Sequence, residues 1–201
     1  MAERTRLQRI AKRIRVPMGF VVAALFLVLA GPTARSLGLS LLLVVPGLWL
    51  RGYASGYVKK NAELATTGPY AYTRNPLYLG SLLITLGFGI ASWNWFLPLV
   101  LVVLFAAIYW PTILGEEQYL RANFAGFEAY AARVPRLLPR LTAAAGDGAG
   151  EFSRGLYRKH REYNALMGAG AIYAALVLRL TLGSYIQLGR LLRDLQAYVG
   201  S

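Results

Sequence analysis

The chain passes from a polar turn straight into an apolar run in the stretch Gly68-Pro69-Tyr70-Ala71-Tyr72-Thr73-Arg74-Asn75-Pro76-Leu77-Tyr78-Leu79-Gly80. Pro69 favours a tight turn, and Pro76 disfavours helical geometry at Asn75, so we expect a helix to begin at Pro76. Lipid offers no water to unpaired polar groups, and polar residues beside a membrane core are therefore usually functional. The stretch predicts a structured polar loop at the mouth of a membrane helix.

Apolar runs of membrane-spanning length lie on both sides of this loop. Hydrophobic residues make up 56% of the 201 residues and charged residues only 15%. A helix needs about 20 mostly apolar residues to cross a bilayer. Five runs approach that length: residues 16–34, 37–53, 77–92, 93–114 and 165–183. The sequence therefore predicts an all-α, polytopic membrane bundle of about five transmembrane helices.

The basic residues predict the topology and the partners. They collect before the first run and between the second and third, so the positive-inside rule places the amino terminus and the polar loops in the cytoplasm. We expect a bacterial inner membrane. The net charge is +13, and the basic residues flank hydrophobic runs without forming a recognised nucleic-acid module. This favours anionic lipid headgroups over nucleic acid as partners.

The chain has no cysteine and a single histidine, His160. A thiolate nucleophile, a thiolate metal site and a histidine cluster are therefore excluded, and we predict no metal site. We expect a membrane core over residues 1–141, a linker rich in Ala, Gly and Asp over 142–150, and a basic segment with a hydrophobic helix over 151–201. Small residues in that last helix favour close packing, either within the chain or in a homo-oligomer.

Several polar residues near the membrane could bind a ligand. Arg74 is a fixed cation, and Asn75 offers both donors and an acceptor. Glu116 and Glu117 adjoin the fourth run and point about a hundred degrees apart on a helix, so they need not share a role. A basic tail with Arg133 and Arg136 follows. Contact of these arginines with lipid headgroups is the alternative.

The order of motifs resembles a known superfamily. Gly-Pro-Tyr is followed by Arg-Asn-Pro-Leu-Tyr-Leu-Gly, then by Glu-Glu-x-x-Leu and by Val-Pro-x-Leu-Leu-Pro, over about residues 61–141. This pattern is similar to that of the isoprenylcysteine carboxyl methyltransferases and phospholipid methyltransferases. The resemblance implies that S-adenosylmethionine binds within the membrane fold, near its cytoplasmic side.

The resemblance also implies residue roles. Arg133 or Arg136 would neutralise the methionine carboxylate or a substrate anion, and Glu117 would assist deprotonation of an amine acceptor. Family members carry histidine where this chain has Asn75, which keeps hydrogen bonding but loses a titratable group. The expected cofactor contacts are Leu64, Ala65, Tyr70, Arg74, Asn75, Pro76, Leu77, Tyr78 and Glu116.

The predicted function is an integral-membrane, S-adenosylmethionine-dependent methyltransferase. Its acceptor would be a lipid or amphipathic small molecule, methylated at a carboxyl oxygen, an amine nitrogen or a thiol sulfur. Prenylcysteine enzymes have an arginine one turn before their glutamates, where this chain has Pro111-Thr112-Ile113, so a prenylcysteine substrate is disfavoured. The alternatives are a membrane reductase that uses a nicotinamide cofactor and a non-enzymatic, lipid-binding membrane scaffold.

Overall fold

The computed structural model describes the backbone of residues 19, 21–58, 63–144 and 150–199, and side chains as far as residue 183. All regular structure within these ranges is helical, which confirms the predicted all-α class. A short 3₁₀ turn, Gly68–Ala71, precedes α3. The α-helices are α1 (21–29), α2 (Ala34–Ser55), α3 (Pro76–Ala91), α4 (Phe96–Asn123), α5 (Phe127–Arg133), α6 (Arg154–His160) and α7 (Tyr163–Val199).

The described helices form an integral-membrane bundle. Three segments are long and apolar enough to cross a membrane, namely α2, α4 and the Tyr163–Gly183 part of α7. The apolar helix α3 is shorter, with 16 residues. Residues 16–18 and 20 of the first predicted run lie outside the described residues.

Two helices continue past the predicted apolar runs. The fourth run is predicted over residues 93–114, and α4 continues to Asn123, because most of the polar residues that follow are good helix formers. Glu116 and Glu117 therefore lie within the helix. The fifth run, predicted over residues 165–183, agrees with the membrane-length segment Tyr163–Gly183, and α7 itself continues to Val199.

Helices α2 and α3 pack closely and antiparallel. The Ser36 hydroxyl, at the start of α2, donates to the carbonyl of Ala91 at the end of α3, over 3.1 Å. Further along, a Cβ atom on Gly80 would lie 2.7 Å from the carbonyl oxygen of Gly47, so a side chain there would push the helices apart. This close approach places Arg51 of α2 beside the first turn of α3.

The fifth hydrophobic run is part of the core. Leu176 of α7 is fully buried in a cluster that includes Phe26, Leu37 and Phe88. The hydroxyls of Tyr173 and Ser40 lie 2.8 Å apart, which ties α7 to α2. The residues beyond the predicted linker thus pack against the amino-terminal helices.

The bundle has two distinct ends. At one end the two hairpin turns meet, where Gly31 N donates to the carbonyl of Ser92 over 2.8 Å. The polar loop before α3 lies at the other end, together with the carboxyl end of α2 and the turn between α6 and α7. There, Ser153 N donates to the carbonyl of Gly56 over 2.9 Å.

Candidate active site

A cavity of about 350 Å³ lies at the polar end of the bundle. This volume is in the range of small-molecule sites. Residues from α2, α3, α4, α5 and the connecting loops line it, and all nine predicted cofactor contacts are among them. These are Leu64, Ala65, Tyr70, Arg74, Asn75, Pro76, Leu77, Tyr78 and Glu116. The fold thus brings together residues that are up to 52 positions apart in the sequence.

The basic tail after α5 is hydrogen-bonded to the polar loop. Arg74 N donates to the carbonyl of Pro135 over 2.9 Å, and the side-chain amide of Asn75 donates to the carbonyl of Arg136 over 2.9 Å. The hydroxyl of Thr73 donates to the carbonyl of Leu137 over 3.0 Å. The loop is therefore held in one shape, and the amide of Asn75 serves partly as a structural tie.

Glu117 is buried beside two guanidinium groups. Only 4% of the residue is exposed. Arg136 donates to it through Nε, at 3.1 Å from each oxygen, and through Nη2 at 2.9 Å, while Arg74 Nη2 lies 3.3 Å from Oε1. The hydrogen bond to Glu117 raises the pKa of the Arg136 guanidinium. Both carboxylate oxygens are engaged, which favours a structural role over the predicted part in deprotonation.

Glu116 is exposed at the cavity and has a different neighbour. The hydroxyl of Tyr78 donates to its Oε1 over 2.9 Å, and the Tyr78 ring packs edge-on against Tyr109 with ring centroids 5.5 Å apart. The two adjacent glutamates thus have separate surroundings, as the helical angle between them predicts. The geometry leaves Glu116 accessible to a ligand that fills the cavity.

Two buried tyrosines form a neutral part of the wall. Tyr130 donates its hydroxyl hydrogen to the carbonyl of Tyr70 over 2.9 Å. Burial raises the pKa of both hydroxyls above the ordinary tyrosine value. Both side chains therefore stay uncharged at neutral pH and offer aromatic surface beside Phe127.

Two predicted residues do not reach the cavity. Arg133 is exposed on the surface, with Nε 3.2 Å from the carbonyl of Ala129. Arg136 is paired with Glu117, and its guanidinium lies 5.4 Å from the centre of the Trp110 ring. Arg136 thus neutralises Glu117 from outside the cavity, and neither arginine lines the space that a ligand carboxylate would occupy.

An ion pair on the cavity wall was not predicted. Arg51 Nη2 lies 2.8 Å from Glu162 Oε2, and both residues line the cavity. Sequence reasoning attributed Arg51 to the positive-inside pattern. A signal for Glu162 was available, since the chain has only nine acidic residues. Four of them line the cavity, namely Glu63, Glu116, Glu117 and Glu162.

In the described part of the chain, no group of three His, Cys, Asp or Glu residues is placed to hold a metal ion.

Comparisons with known proteins identify a family and two curated relatives. The phospholipid methyltransferase family matches residues 19–126. The cobalt-zinc-cadmium resistance protein CzcN of Cupriavidus metallidurans is 39% identical over 115 residues, which are 57% of this chain and 52% of that protein. The nickel-cobalt-cadmium resistance protein NccN of Alcaligenes xylosoxydans xylosoxydans is 39% identical over 95 residues, 47% of this chain and 44% of that protein. The chain spans about half the length of these curated relatives, and no solved structure matches it.

Proposed function

The chain belongs to the phospholipid methyltransferase family, and from this premise we propose that it uses S-adenosylmethionine to methylate a lipid or amphipathic acceptor. One observation carries the proposal. The nine residues implied in cofactor binding come from separate parts of the sequence and line a single cavity. That cavity lies at one end of a membrane bundle, where an acceptor dissolved in the bilayer can enter between the helices.

The charge of the cavity supports a cationic cofactor. Four glutamates and two arginines, Arg51 and Arg74, are among the described residues that line it, and Arg136 pairs with Glu117 from outside the cavity. Three positive charges against four negative ones leave a formal charge of −1. The whole chain carries +13. A negative cavity in a positive protein attracts a cation and disfavours a polyanion. S-Adenosylmethionine carries a sulfonium and an ammonium group against one carboxylate, whereas a nicotinamide dinucleotide carries negative phosphates.

The residues present suit that cofactor. Glu116 would accept hydrogen bonds from its amino or ribose hydroxyl groups, and Tyr70 and Phe127 would cover its apolar surface. Leu64 and Ala65 add apolar wall on the side of the segment before the 3₁₀ turn. Glu117 pairs with Arg74 and Arg136, and these ion pairs hold this part of the cavity wall in place. When bound, the cofactor supplies a methyl group already activated on sulfur.

In this reaction the protein aligns the acceptor with the methyl group and excludes water from both. An in-line displacement from a sulfonium needs no nucleophilic side chain, and this chain has no cysteine to provide one. The rigid loop between Thr73 and Pro76 fixes the geometry of the site. The surrounding helices keep water from the reacting atoms. The acceptor atom is a carboxylate oxygen, an amine nitrogen or a thiol sulfur.

The proposal includes a topology. The polar end of the bundle faces the cytoplasm of a bacterium, because the basic residues that flank the membrane segments collect there. Anionic headgroups of the inner leaflet then contact these residues. S-Adenosylmethionine is made in the cytoplasm, so this orientation gives it direct access to the cavity.

Calorimetric titration of the detergent-purified protein, supplemented with anionic lipid, tests the cofactor. We expect saturable binding of S-adenosylmethionine and none of a nicotinamide dinucleotide. Glu116→Ala should weaken binding at least about tenfold, because it removes an acceptor of charge-assisted hydrogen bonds. Glu128→Ala is the matched control, since Glu128 is exposed and lies outside the cavity. Binding of the nicotinamide cofactor alone would replace this proposal with a reductase, and binding of lipid alone with a scaffold.

The names of the curated relatives suggest a cellular readout. Both are named as proteins of resistance to cadmium and other metals. We propose that methylation by this chain contributes to the same tolerance. Survival of a cadmium-sensitive strain that expresses the wild type should then exceed survival with Glu116→Ala at equal protein levels. Equal survival would remove this physiological role and leave the biochemical proposal in place.

A further inference from the structure

We propose that Arg51 binds the carboxylate of the cofactor, and that Glu162 occupies Arg51 until the cofactor displaces it. This inference rests on the proposed function, since it concerns how the same cavity holds S-adenosylmethionine. It assigns a role to two residues that the sequence did not single out. It also assigns a role to the carboxy-terminal segment, because Glu162 lies beyond the family match over residues 19–126.

The Arg51 guanidinium is held by α3 on one side, and on the other side its carboxylate partner can be exchanged. Its Nη1 donates to the carbonyl of Leu77, over 3.3 Å, and to the hydroxyl of Ser81, both on α3. Its Nη2 donates to Glu162 over 2.8 Å. Within the described part of the chain, the buried Nε has no hydrogen-bond partner. The guanidinium is thus fixed by α3 and retains a donor that Glu162 leaves unused.

A second carboxylate can satisfy that donor. A planar guanidinium binds a carboxylate through two parallel N–H groups, and this arrangement is stronger than one contact. Within the described ranges, Glu162 contacts the Arg51 guanidinium at Nη2, through a single carboxylate oxygen. A ligand carboxylate that engages both Nε and Nη2 would therefore replace one hydrogen bond by two. The positive charge of Arg51 stays paired throughout the exchange.

The other arginines near the site are less available. Arg74 Nε is also buried without a hydrogen-bond partner among the described residues, but Arg74 shares Glu117 with Arg136, so its release would disturb a network of three charged groups. Arg133 and Arg136 do not line the cavity. Arg51 instead has one carboxylate partner, with side-chain exposures of 20% for Arg51 and 12% for Glu162. Among these four arginines, Arg51 is therefore the one whose present carboxylate partner a cavity ligand can replace with the least disturbance of other ion pairs.

The segment that carries Glu162 is positioned to act as a counter-ion. Glu162 lies in the two-residue turn between α6 and α7, next to Arg161, which adopts a left-handed backbone with φ of 53°. Helix α6 is tied to the end of α2, where His160 Nδ1 lies 3.0 Å from the carbonyl oxygen of Ser55. The turn is thus held over Arg51 from outside the family core, and its carboxylate competes with the ligand.

The experiment compares the binding of S-adenosylmethionine and of its decarboxylated form to the full chain. Glu162→Gln keeps the size of the side chain but removes the competing charge. We expect it to tighten S-adenosylmethionine binding about fivefold, the size of one partly buried ion pair. It should weaken binding of the decarboxylated form, which has no carboxylate to gain from Arg51 and loses a favourable negative charge in the cavity.

Arg51→Gln should weaken the binding of S-adenosylmethionine at least about tenfold. Binding of the decarboxylated form should be unchanged or tighter. Arg51→Lys keeps the charge but not the two parallel donors, so it should recover only part of the affinity. Glu128→Gln is the matched control, because it removes an exposed acid that is paired with Arg121 and lies outside the cavity. Thermal unfolding of each variant verifies that it is folded before binding is measured.

The outcomes separate this inference from the proposed function. If wild type fails to bind S-adenosylmethionine, the proposed function is overturned. If wild type binds but Glu162→Gln weakens binding as Arg51→Gln does, the pair is a structural tie and the inference is wrong. Equal effects of Glu162→Gln on both forms of the cofactor would also overturn it, because the carboxylate would then have no part in the exchange.

Discussion

Replacing Glu117 by glutamine should destabilise the protein strongly, because two guanidinium groups would lose their carboxylate. Glu117 is 4% exposed and accepts three hydrogen bonds of 2.9 to 3.1 Å from Arg136, with Arg74 Nη2 at 3.3 Å. Removing one partner of a buried ion pair costs about 3–5 kcal/mol. The Arg136 side chain is 35% exposed, so water recovers part of this loss. We expect a loss of about 3 kcal/mol, at the lower end of that range.

Unfolding in mixed detergent micelles of increasing denaturing strength measures this loss. Glu128→Gln is the control, because its ion pair with Arg121 has side-chain exposures of 65% and 52%. It should cost less than about 0.5 kcal/mol, as exposed pairs do. Glu117→Gln combined with Arg136→Gln should cost less than the sum of the two single changes, since the two residues share one interaction.

A Glu117→Gln variant within about 0.5 kcal/mol of wild type would refute the reasoning. So would additive losses in the double variant. Either result would mean that the carboxylate is not the element that holds Arg74 and Arg136 in place. The loop between Thr73 and Pro76 would then depend mainly on the hydrogen bonds that it donates to backbone carbonyls of the tail.

Three further predictions concern the helix contact, the cavity and pH. Gly80→Ala should lower the unfolding temperature, because the new Cβ would lie 2.7 Å from the Gly47 carbonyl oxygen; unchanged melting would contradict this close contact. Tyr78→Phe should weaken S-adenosylmethionine binding about threefold by titration calorimetry, since it removes the hydroxyl donated to Glu116, and unchanged affinity would exclude that role. Burial raises the pKa of Tyr70, so its contribution to stability is present at neutral pH and is lost only as the pH rises above the range of free tyrosine. Tyrosinate absorbance compared with Tyr70→Phe checks this, and ionisation of Tyr70 in the ordinary range would contradict it.

The helices follow from local sequence features, and most of the cavity wall follows from the motif resemblance. Apolar runs of sufficient length and the prolines at Pro69 and Pro76 predict the segments around the loop, and the start of α3 agrees with this. The predicted cofactor contacts came from the motif resemblance, and the fold gathers them at one cavity. Motifs that are distant in the sequence meet because antiparallel helices return the chain to the same end of the bundle.

The charge pairs could not be predicted, because they join distant residues. Arg51 and Glu162 are 111 residues apart, and nothing near either one indicates its partner. The motif resemblance implies that Arg133 or Arg136 meets an anion, and only the tertiary path of the tail decides that Arg136 meets Glu117. An apolar run marks only the membrane part of a helix, and α4 continues past its run to Asn123.

Transfer of a radiolabelled methyl group from S-adenosylmethionine to the lipid fraction of bacterial membranes tests the central claim most directly. Wild type and Glu116→Ala are incubated with the same membranes, and the label is counted in extracted lipids and amphipathic small molecules. We predict label above background with wild type and at least about tenfold less with Glu116→Ala. Equal label with both proteins, or none with a folded wild type that binds the cofactor, would contradict the account of this cavity as the site of methyl transfer.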